Sequence, residues 1–270
     1  MINYPIFSVV IPLYNKEDYI LQTVQSVLDQ TDPDFELLVV NDGSTDSSQQ
    51  RLSAITDTRM RIINRFNKGE CAARNTGIWE AKGEYVVFLD ADDYWRPNHL
   101  AELRKLIDQY GHQANVFSTG FARLFPDGEL EPCNDATSQP RCFTPKEYFQ
   151  AVWKGKEIIH SSCACVRKNV FVEIGGFDSR FSMGGDLEMW ARLLRCHTLA
   201  HSPEITEIYR VDTPNSSGKS MNYDKDAARI ALQPHHICWE DWAVCLRRYL
   251  KYRVKRFIGY RPQVKKRLKQ

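Results

Sequence analysis

The chain has 270 residues, 43% of them hydrophobic and 26% charged, which is enough apolar material for a sizeable core and too much for a disordered segment. Its net charge of +2 conceals a division: residues 247–270 hold 11 Lys/Arg and no Asp/Glu, leaving 25 basic and 34 acidic residues before them. No apolar run approaches the ~20 residues of a membrane-spanning helix. The N-terminus does not read as a signal peptide, and the eight scattered cysteines contain no C-x-x-C pair. Membrane-spanning, zinc-ribbon and disulfide-framework classes are therefore set aside, and a cytosolic protein with reduced thiols is expected.

Residues 7–13 (Phe-Ser-Val-Val-Ile-Pro-Leu) read as a first strand, after which Ile20, Leu21, Val24, Val27 and Leu28 recur at helical spacing with Asn15 as the expected N-cap. A second strand over 35–40 ends in Asn41-Asp42-Gly43-Ser44, where Gly43 permits the turn and Ser44 or Thr45 is placed to cap the next helix. Residues 60–64 form a short third strand, and 71–81 a helix closed by Gly83. Residues 85–93 (Tyr-Val-Val-Phe-Leu-Asp-Ala-Asp-Asp) are a fourth, buried strand that ends in three carboxylates within four positions. Buried carboxylates this close repel one another unless a cation or a proton intervenes. An amphipathic helix over 98–110 follows, with Pro97 near its start.

Strands alternating with helices predict an α/β fold with a parallel sheet and right-handed crossovers. The loops after strands one, two and four then meet in one crevice, bringing Tyr14, Asp42 and Asp90 to Asp93 together. After residue 114 the pattern becomes α+β: a strand over 116–125, a turn at Pro126-Asp127-Gly128, and a loop over 131–141. A helix over 145–153, a strand over 162–166, a turn over 175–178 and a helix over 186–195 complete it. The expected organisation is one domain over 1–220, divided into a nucleotide-binding half (1–113) and an acceptor half (114–220), then a helical basic tail over 221–270.

Five segments occur in a telling order: Ser8-Val-Val-Ile-Pro-Leu-Tyr-Asn15, Val40-Asn-Asp-Gly-Ser-Thr-Asp46, Asn67-x-Gly69-x-x-x-Ala73-Arg74-Asn75-x-Gly77, Phe88-Leu-Asp-Ala-Asp-Asp93 and Gly175-Gly-Phe-Asp178. Together they closely resemble the family 2 inverting glycosyltransferases over roughly residues 6–210. The resemblance implies a GT-A fold, in which a Rossmann-like nucleotide-binding half and a smaller acceptor half share one mixed central sheet. It implies a nucleoside diphosphate-sugar donor, most simply a uridine one, a glycan or lipid-linked acceptor, and a place in bacterial polysaccharide or glycolipid synthesis.

Residue chemistry agrees with that resemblance. Tyr14 offers stacking area for a base, and Asp42, an acceptor only when ionised, suits a pyrimidine N–H. By resemblance Pro12, Tyr14, Asp42 and Arg74 line the nucleoside site, Asp92 is the direct ligand of a divalent Mn²⁺ or Mg²⁺, and Asp90 contacts the ribose or the water of the metal. Two carboxylates suffice, because such an ion takes its remaining oxygens from phosphate and water. Asp93 either supports these two or caps the helix beginning near Pro97. Inversion requires a base for the acceptor hydroxyl, and Asp186 matches the aspartate of the family's Glu-Asp-x-x-Leu/Met-Trp segment. Gly185 stands where the family has glutamate, and Glu188 is the alternative base. Tyr209-Arg-Val-Asp212 resembles a Tyr-Arg-x-His segment, and Thr213 to Lys219 reads as a loop over the diphosphate, with Ser216, Ser217 or Lys219 as phosphate contacts.

Neither a P-loop nor a G-x-G-x-x-G motif is present. The histidines show no H-x-x-x-H spacing and are taken as structural or surface residues. The basic tail, interleaved with aromatics, suits the anionic inner face of a membrane; a solvated helix is the alternative, and nucleic acid is not expected. The rival to an enzyme is a non-catalytic sugar-nucleotide-binding or scaffold protein of the same fold, a reading that Gly185 favours.

Overall fold

A computed structural model of the chain describes residues 4–133, 137–181, 184–211 and 213. The basic tail, Asp212, Ser216, Ser217 and Lys219 lie outside the described residues. In chain order the elements are β1 (Phe7–Leu13), α1 (Ile20–Leu28), β2 (Phe35–Asn41), α2 (Ser48–Leu52), β3 (Met60–Asn64), α3 (Glu70–Glu80), β4 (Tyr85–Phe88), β5 (Tyr94–Trp95) and α4 (His99–Tyr110). Then follow β6 (Val116–Leu124), β7 (Leu130–Pro132), β8 (Arg141–Phe143), α5 (Pro145–Trp153), a 3-10 turn (Ser161–Cys163), β9 (Ala164–Arg167), α6 (Val170–Ile174), α7 (Gly185–Leu194) and β10 (Leu199–Arg210).

The described strands form one mixed sheet in the order β3-β2-β1-β4-β9-β6-β10-β5, with β7 beside β6 and β8 beside β10. The first four are parallel, as the alternating pattern requires, and β9 then runs antiparallel between β4 and β6. All seven residues of β1 are buried, which explains its unbroken apolar run: both faces of the sheet are covered. On one face Phe7, Val9, Ile11 and Leu13 join a core with Val24 and Val27 of α1 and Leu100, Leu103 and Leu106 of α4. On the other, Phe88 packs edge-on against Phe171 (6.1 Å between ring centroids) and Phe177 (5.4 Å), and lies 6.3 Å from Trp190. Burial of such side chains contributes roughly 1.5–3 kcal/mol each. This aromatic cluster seats α7 on β4, so a residue at the start of α7 is positioned relative to the carboxylates that follow β4.

The 175–178 turn is held from two sides. Asn75 of α3 accepts from the Phe177 N–H (2.7 Å) and donates to its carbonyl (2.8 Å), while Arg192 of α7 donates to the carbonyls of Ile174 (2.6 Å) and Gly176 (2.9 Å). Two of the five segments singled out in the sequence are thus one physical unit. α3 lies close to β1 because Gly77 has no side chain: a Cβ there would fall 2.2 Å from Val10 Cγ1.

Three local expectations change. The helix preceding Gly83 ends at Glu80, and Gly83 instead lies against the backbone of Phe7 and Ser8. Residues 131–141 are not all loop, since β7 and β8 begin and end there. The larger omission is β10, a twelve-residue strand over a stretch that contains Pro203, Glu204 and Glu207. Its pairing with β6 shifts register on either side of Ile205, next to the proline, and its buried positions include His201, Ser202, Thr206 and Glu207. An apolar-run criterion passes over a strand with so polar an interior.

Candidate active site

The loops after β1, β2 and β4 lie at one edge of the sheet. The first turns at Asn15, whose φ of 51° is the one positive value for a non-glycine among the described residues. Its side-chain oxygen accepts from the N–H groups of Thr45 (2.8 Å) and Asp46 (3.3 Å), and its own N–H donates to Ser44 Oγ (3.1 Å). Asn15 therefore stitches the β1 and β2 loops together and does not cap α1, whose N-cap is Tyr19. Ser44 and Thr45 are engaged in the same stitch, and α2 begins after Ser47.

Pro12 lies within β1 opposite Val40, and Tyr14 at the strand's end is 44% exposed. Asp42 is buried, its carboxylate accepting from the N–H of Gly69 (2.8 Å), the N–H of Lys68 (3.2 Å) and Arg65 Nε (3.0 Å). It ties the 65–69 turn to the end of β2. Phe66, within that turn, is 90% exposed. Arg74, one turn into α3, is buried; one guanidinium nitrogen reaches Asp90 Oδ1 (2.6 Å) and Glu70, and the group lies 5.3 Å from the Phe177 ring centroid. Burial works against its charge, but Asp90, Glu70 and Asp186 outweigh it and hold the guanidinium firmly protonated.

Each of the three carboxylates after β4 has a different partner. Asp90 faces Arg74. Asp92 Oδ2 faces Lys16 Nζ at 2.6 Å and accepts from Thr213, while its carbonyl accepts from Arg210. Asp93 is buried, accepting from Ser162 Oγ (2.7 Å) and from the Arg210 N–H (3.0 Å). Burial, then Asp92 and Glu207, push its carboxyl well above the usual carboxylate range. Asp93 is therefore a support for its neighbours; it does not cap α4, whose N-cap is Asn98.

The turn before β9 joins this cluster to the opposite wall. Ser162 Oγ also accepts from the Asp90 N–H (3.0 Å), and the Ser162 carbonyl accepts from Trp95 Nε1 (2.6 Å). Its neighbour Ser161 reaches Asp186 Oδ2 at 3.5 Å. His160 Nδ1 lies 2.7 Å from Glu207 Oε1, with the ring between Phe121 and Tyr209. Burial alone would lower this imidazole, but Glu207, Asp93 and Asp90 outweigh it and hold it up to about 10. The buried Asp93 and Glu207 and the partly buried His160 thus form a compact cluster, distant in sequence, that no spacing rule would find.

Asp186 sits in the first turn of α7. Glu188, the alternative base, is paired with Arg192 at 2.7 Å. Partial desolvation, then Asp90, Asp186 and Asp92, push the Glu70 carboxyl up to about 6 against the pull of Arg74. These four carboxylates therefore face one another electrostatically. Of the residues singled out in the sequence, Arg74, Asp90, Asp92 and Asp186 come together, and Asp42 and Tyr14 adjoin them through the first turn of α3 and the end of β1. Lys16, Ser161, Ser162, Glu207 and the role of Arg210 were not legible. Lys16 alone had a signal, standing next to Tyr14-Asn15.

A family model described as glycosyl transferase family 2 matches residues 8–175. The chain belongs to this family. An uncharacterized glycosyltransferase of Rickettsia bellii is 32% identical over 219 residues, which cover 80% of this chain and 30% of that protein. Glycosyltransferase GlyG of Streptococcus pneumoniae is 38% identical over 107 residues, 38% of this chain and 36% of that one. The chain thus spans about a third of the length of these relatives. Residues 1–349 of S. aureus TarS, solved with UDP-GlcNAc, superpose with a TM-score of 0.75 at 20% identity, covering 96% of this chain and 76% of that one. That likeness shows the GT-A fold. Among the described residues no helix is long and apolar enough to cross a membrane.

The glycine in place of the family's glutamate has a packing cause. A Cβ at Gly185 would lie 2.4 Å from Cys71 Sγ and 3.3 Å from Phe181 Cβ, and Cys71 is itself buried. Gly185→Ala is expected to lose about 1–3 kcal/mol to overpacking, despite the better helix propensity of alanine. In a Cys71→Ala background the same change becomes neutral or mildly stabilising. Urea denaturation of the four proteins measures the difference.

Proposed function

We propose that the protein is a metal-dependent inverting glycosyltransferase that transfers a sugar from a uridine diphosphate-sugar to a hydroxyl of a glycan or lipid-linked acceptor. The observation that carries this reading is the placement of Asp90 and Asp92 at the end of β4, joined through Ser162 and Ser161 to Asp186 on the facing wall. In this reading the carboxylates after β4 serve the donor and Asp186 serves the acceptor.

The donor set fits a hard divalent ion: Asp92 Oδ2 already holds a cation, the Lys16 ammonium, and Asp90 stands beside it. Asp92 would be the direct ligand and Asp90 its helper. A bound ion would supply positive charge against the departing diphosphate. Asp186 takes the proton of the acceptor hydroxyl as its oxygen bonds to the anomeric carbon, and the electron pair of the broken bond leaves with the diphosphate. Arg74 holds Asp90 in place. Arg210 holds the Asp92 carbonyl and, through its N–H, Asp93.

For the base, Asp42 is the acceptor, with Tyr14 and Phe66 as exposed aromatics. Leu13, beside Tyr14, bonds the Asp42 N–H, and Arg65, beside Phe66, bonds its carboxylate. The solved UDP-GlcNAc complex of TarS supports uridine as the nucleoside. The basic residues of 247–270 suit an anionic membrane surface, and the reading takes the enzyme as peripheral at the cytoplasmic face and its product as a polysaccharide or glycolipid. The close approach of Cys71 leaves little room for a side chain at Gly185; the rival reading, a non-catalytic sugar-nucleotide-binding or scaffold protein, is the one that Gly185 favours.

Thermal unfolding with UDP, GDP and CMP, each with Mn²⁺, Mg²⁺ or EDTA, tests this reading. UDP with a divalent ion at about 100 times its dissociation constant should add about 2.7 kcal/mol, which is several degrees in Tm for a domain of this size. GDP and CMP should add little. Equal shifts in EDTA would remove the metal from the reading, and no shift with any nucleotide would remove the donor.

A further inference from the structure

The carboxylate assigned to the metal is not vacant of charge. Lys16 Nζ lies 2.6 Å from Asp92 Oδ2, and the two side chains are only 10% and 15% exposed, so solvent screens the pair weakly. Thr213, buried, donates to the same oxygen and lies 3.4 Å from the ammonium. Lys16 follows Asn15, whose side chain is fastened to the β2 loop, and the Lys16 N–H donates to Ser48 Oγ at 3.0 Å. The backbone that presents the ammonium is therefore held, and the long side chain above it is the part able to move. A divalent ion and an ammonium cannot both occupy Asp92 Oδ2 at bonding distance, because like charges so close repel.

We infer that Lys16 is a resident counter-cation of Asp92 that competes with the divalent metal, so that metal binds weakly alone and tightly only when a nucleoside diphosphate gives the displaced ammonium a new anionic partner. This rests on the assignment of the metal to Asp92. Its consequence is ordered recognition: metal and nucleotide each favour the other's binding, and by linkage the factor is the same in both directions. A cation held in this way also keeps the acidic cleft from collecting divalent ions in the absence of donor.

The test measures Mn²⁺ binding directly, by the electron paramagnetic resonance signal of free Mn²⁺, with and without UDP. The proteins are the full-length chain, Lys16→Met, Lys16→Arg and Asp92→Asn. Lys16→Met, which keeps the stem and removes the charge, should bind Mn²⁺ at least tenfold more tightly without nucleotide. The enhancement of Mn²⁺ affinity by UDP should shrink by a similar factor, as should the enhancement of UDP affinity by Mn²⁺ in calorimetry. Lys16→Arg keeps the cation and should stay within about threefold of the unmodified protein. It therefore separates competition from any general disturbance of the loop. Mn²⁺ binding that Asp92→Asn abolishes but Lys16→Met leaves unchanged or weakens would overturn the inference alone. Mn²⁺ binding that is indifferent to Asp92→Asn, or absent even with UDP, would overturn the metal assignment and the inference together.

Discussion

Asp186→Asn should lower kcat about 10³-fold while leaving the Tm increase produced by UDP and metal within about a degree of that of the unmodified protein. A positioned general base contributes 10²–10⁴-fold, and asparagine preserves the size of the side chain and its contact with Ser161 while removing its capacity to take a proton. The split between turnover and donor binding is the informative part. In the proposed reading Asp186, in the first turn of α7, serves the acceptor hydroxyl and not the donor. Glu188→Gln is the control: Glu188 is committed to Arg192, and its loss should weaken the hold on the 175–178 turn without a comparable fall in kcat. A kcat for Asp186→Asn within tenfold of the unmodified enzyme would remove Asp186 as the base.

Arg74→Met should cost roughly 3 kcal/mol of stability by urea denaturation. Removing one partner of a buried charge pair typically costs 3–5 kcal/mol, because the other charge is left uncompensated. The lower end applies because Asp90 keeps 23% of its side chain exposed and Glu70 42%, so water can take up part of the lost interaction. The loss should be smaller at pH 5 than at pH 8. Without Arg74, Glu70 faces the charges of Asp90, Asp92 and Asp186 with nothing to offset them, and its carboxyl, already up to about 6, relieves that repulsion by taking up a proton as the pH falls. Arg74→Lys should not restore stability in full, since an ammonium is a more strongly hydrated point charge and packs less well over Phe177 than a planar guanidinium. A pH-independent loss would mean that packing against Phe177, and not charge, is the contribution of Arg74.

Three of the first four strands were readable because β1, β2 and β4 are buried almost throughout and so announce themselves as apolar runs, punctuated by glycine and acidic turns at one edge. The meeting of Tyr14, Asp42 and Asp90 to Asp93 was expected from parallel topology, and Arg74 and Asp186 were expected from family resemblance. The supports of these residues were hidden. Ser161 and Ser162 are two hydroxyls in an unremarked turn, and their meaning comes from a sheet that places β9 between β4 and β6. Glu207 reads as a surface charge in the sequence but is fully buried beside His160. Lys16, beside Tyr14-Asn15 in the sequence, gains its meaning only from the loop geometry that sets it on Asp92. Single-residue chemistry thus found the groups assigned to substrate, and tertiary packing was needed to find those that hold them.

β10 ties the order of synthesis to the assembly of the site. Its residues supply the N–H that holds Asp93 and the guanidinium that holds the Asp92 carbonyl, more than a hundred positions after the loop they support. The β10–β5 pairing, Ile208 opposite Tyr94, joins positions more than a hundred apart, and such non-local contacts form slowly. A nascent chain that has emerged only as far as α7 would contain Asp90, Asp92 and Asp186 and still lack the strand whose Arg210 holds Asp93 and the Asp92 carbonyl. The set of the carboxylates would wait on β10, so that a chain halted at α7 would be kept inert by topology.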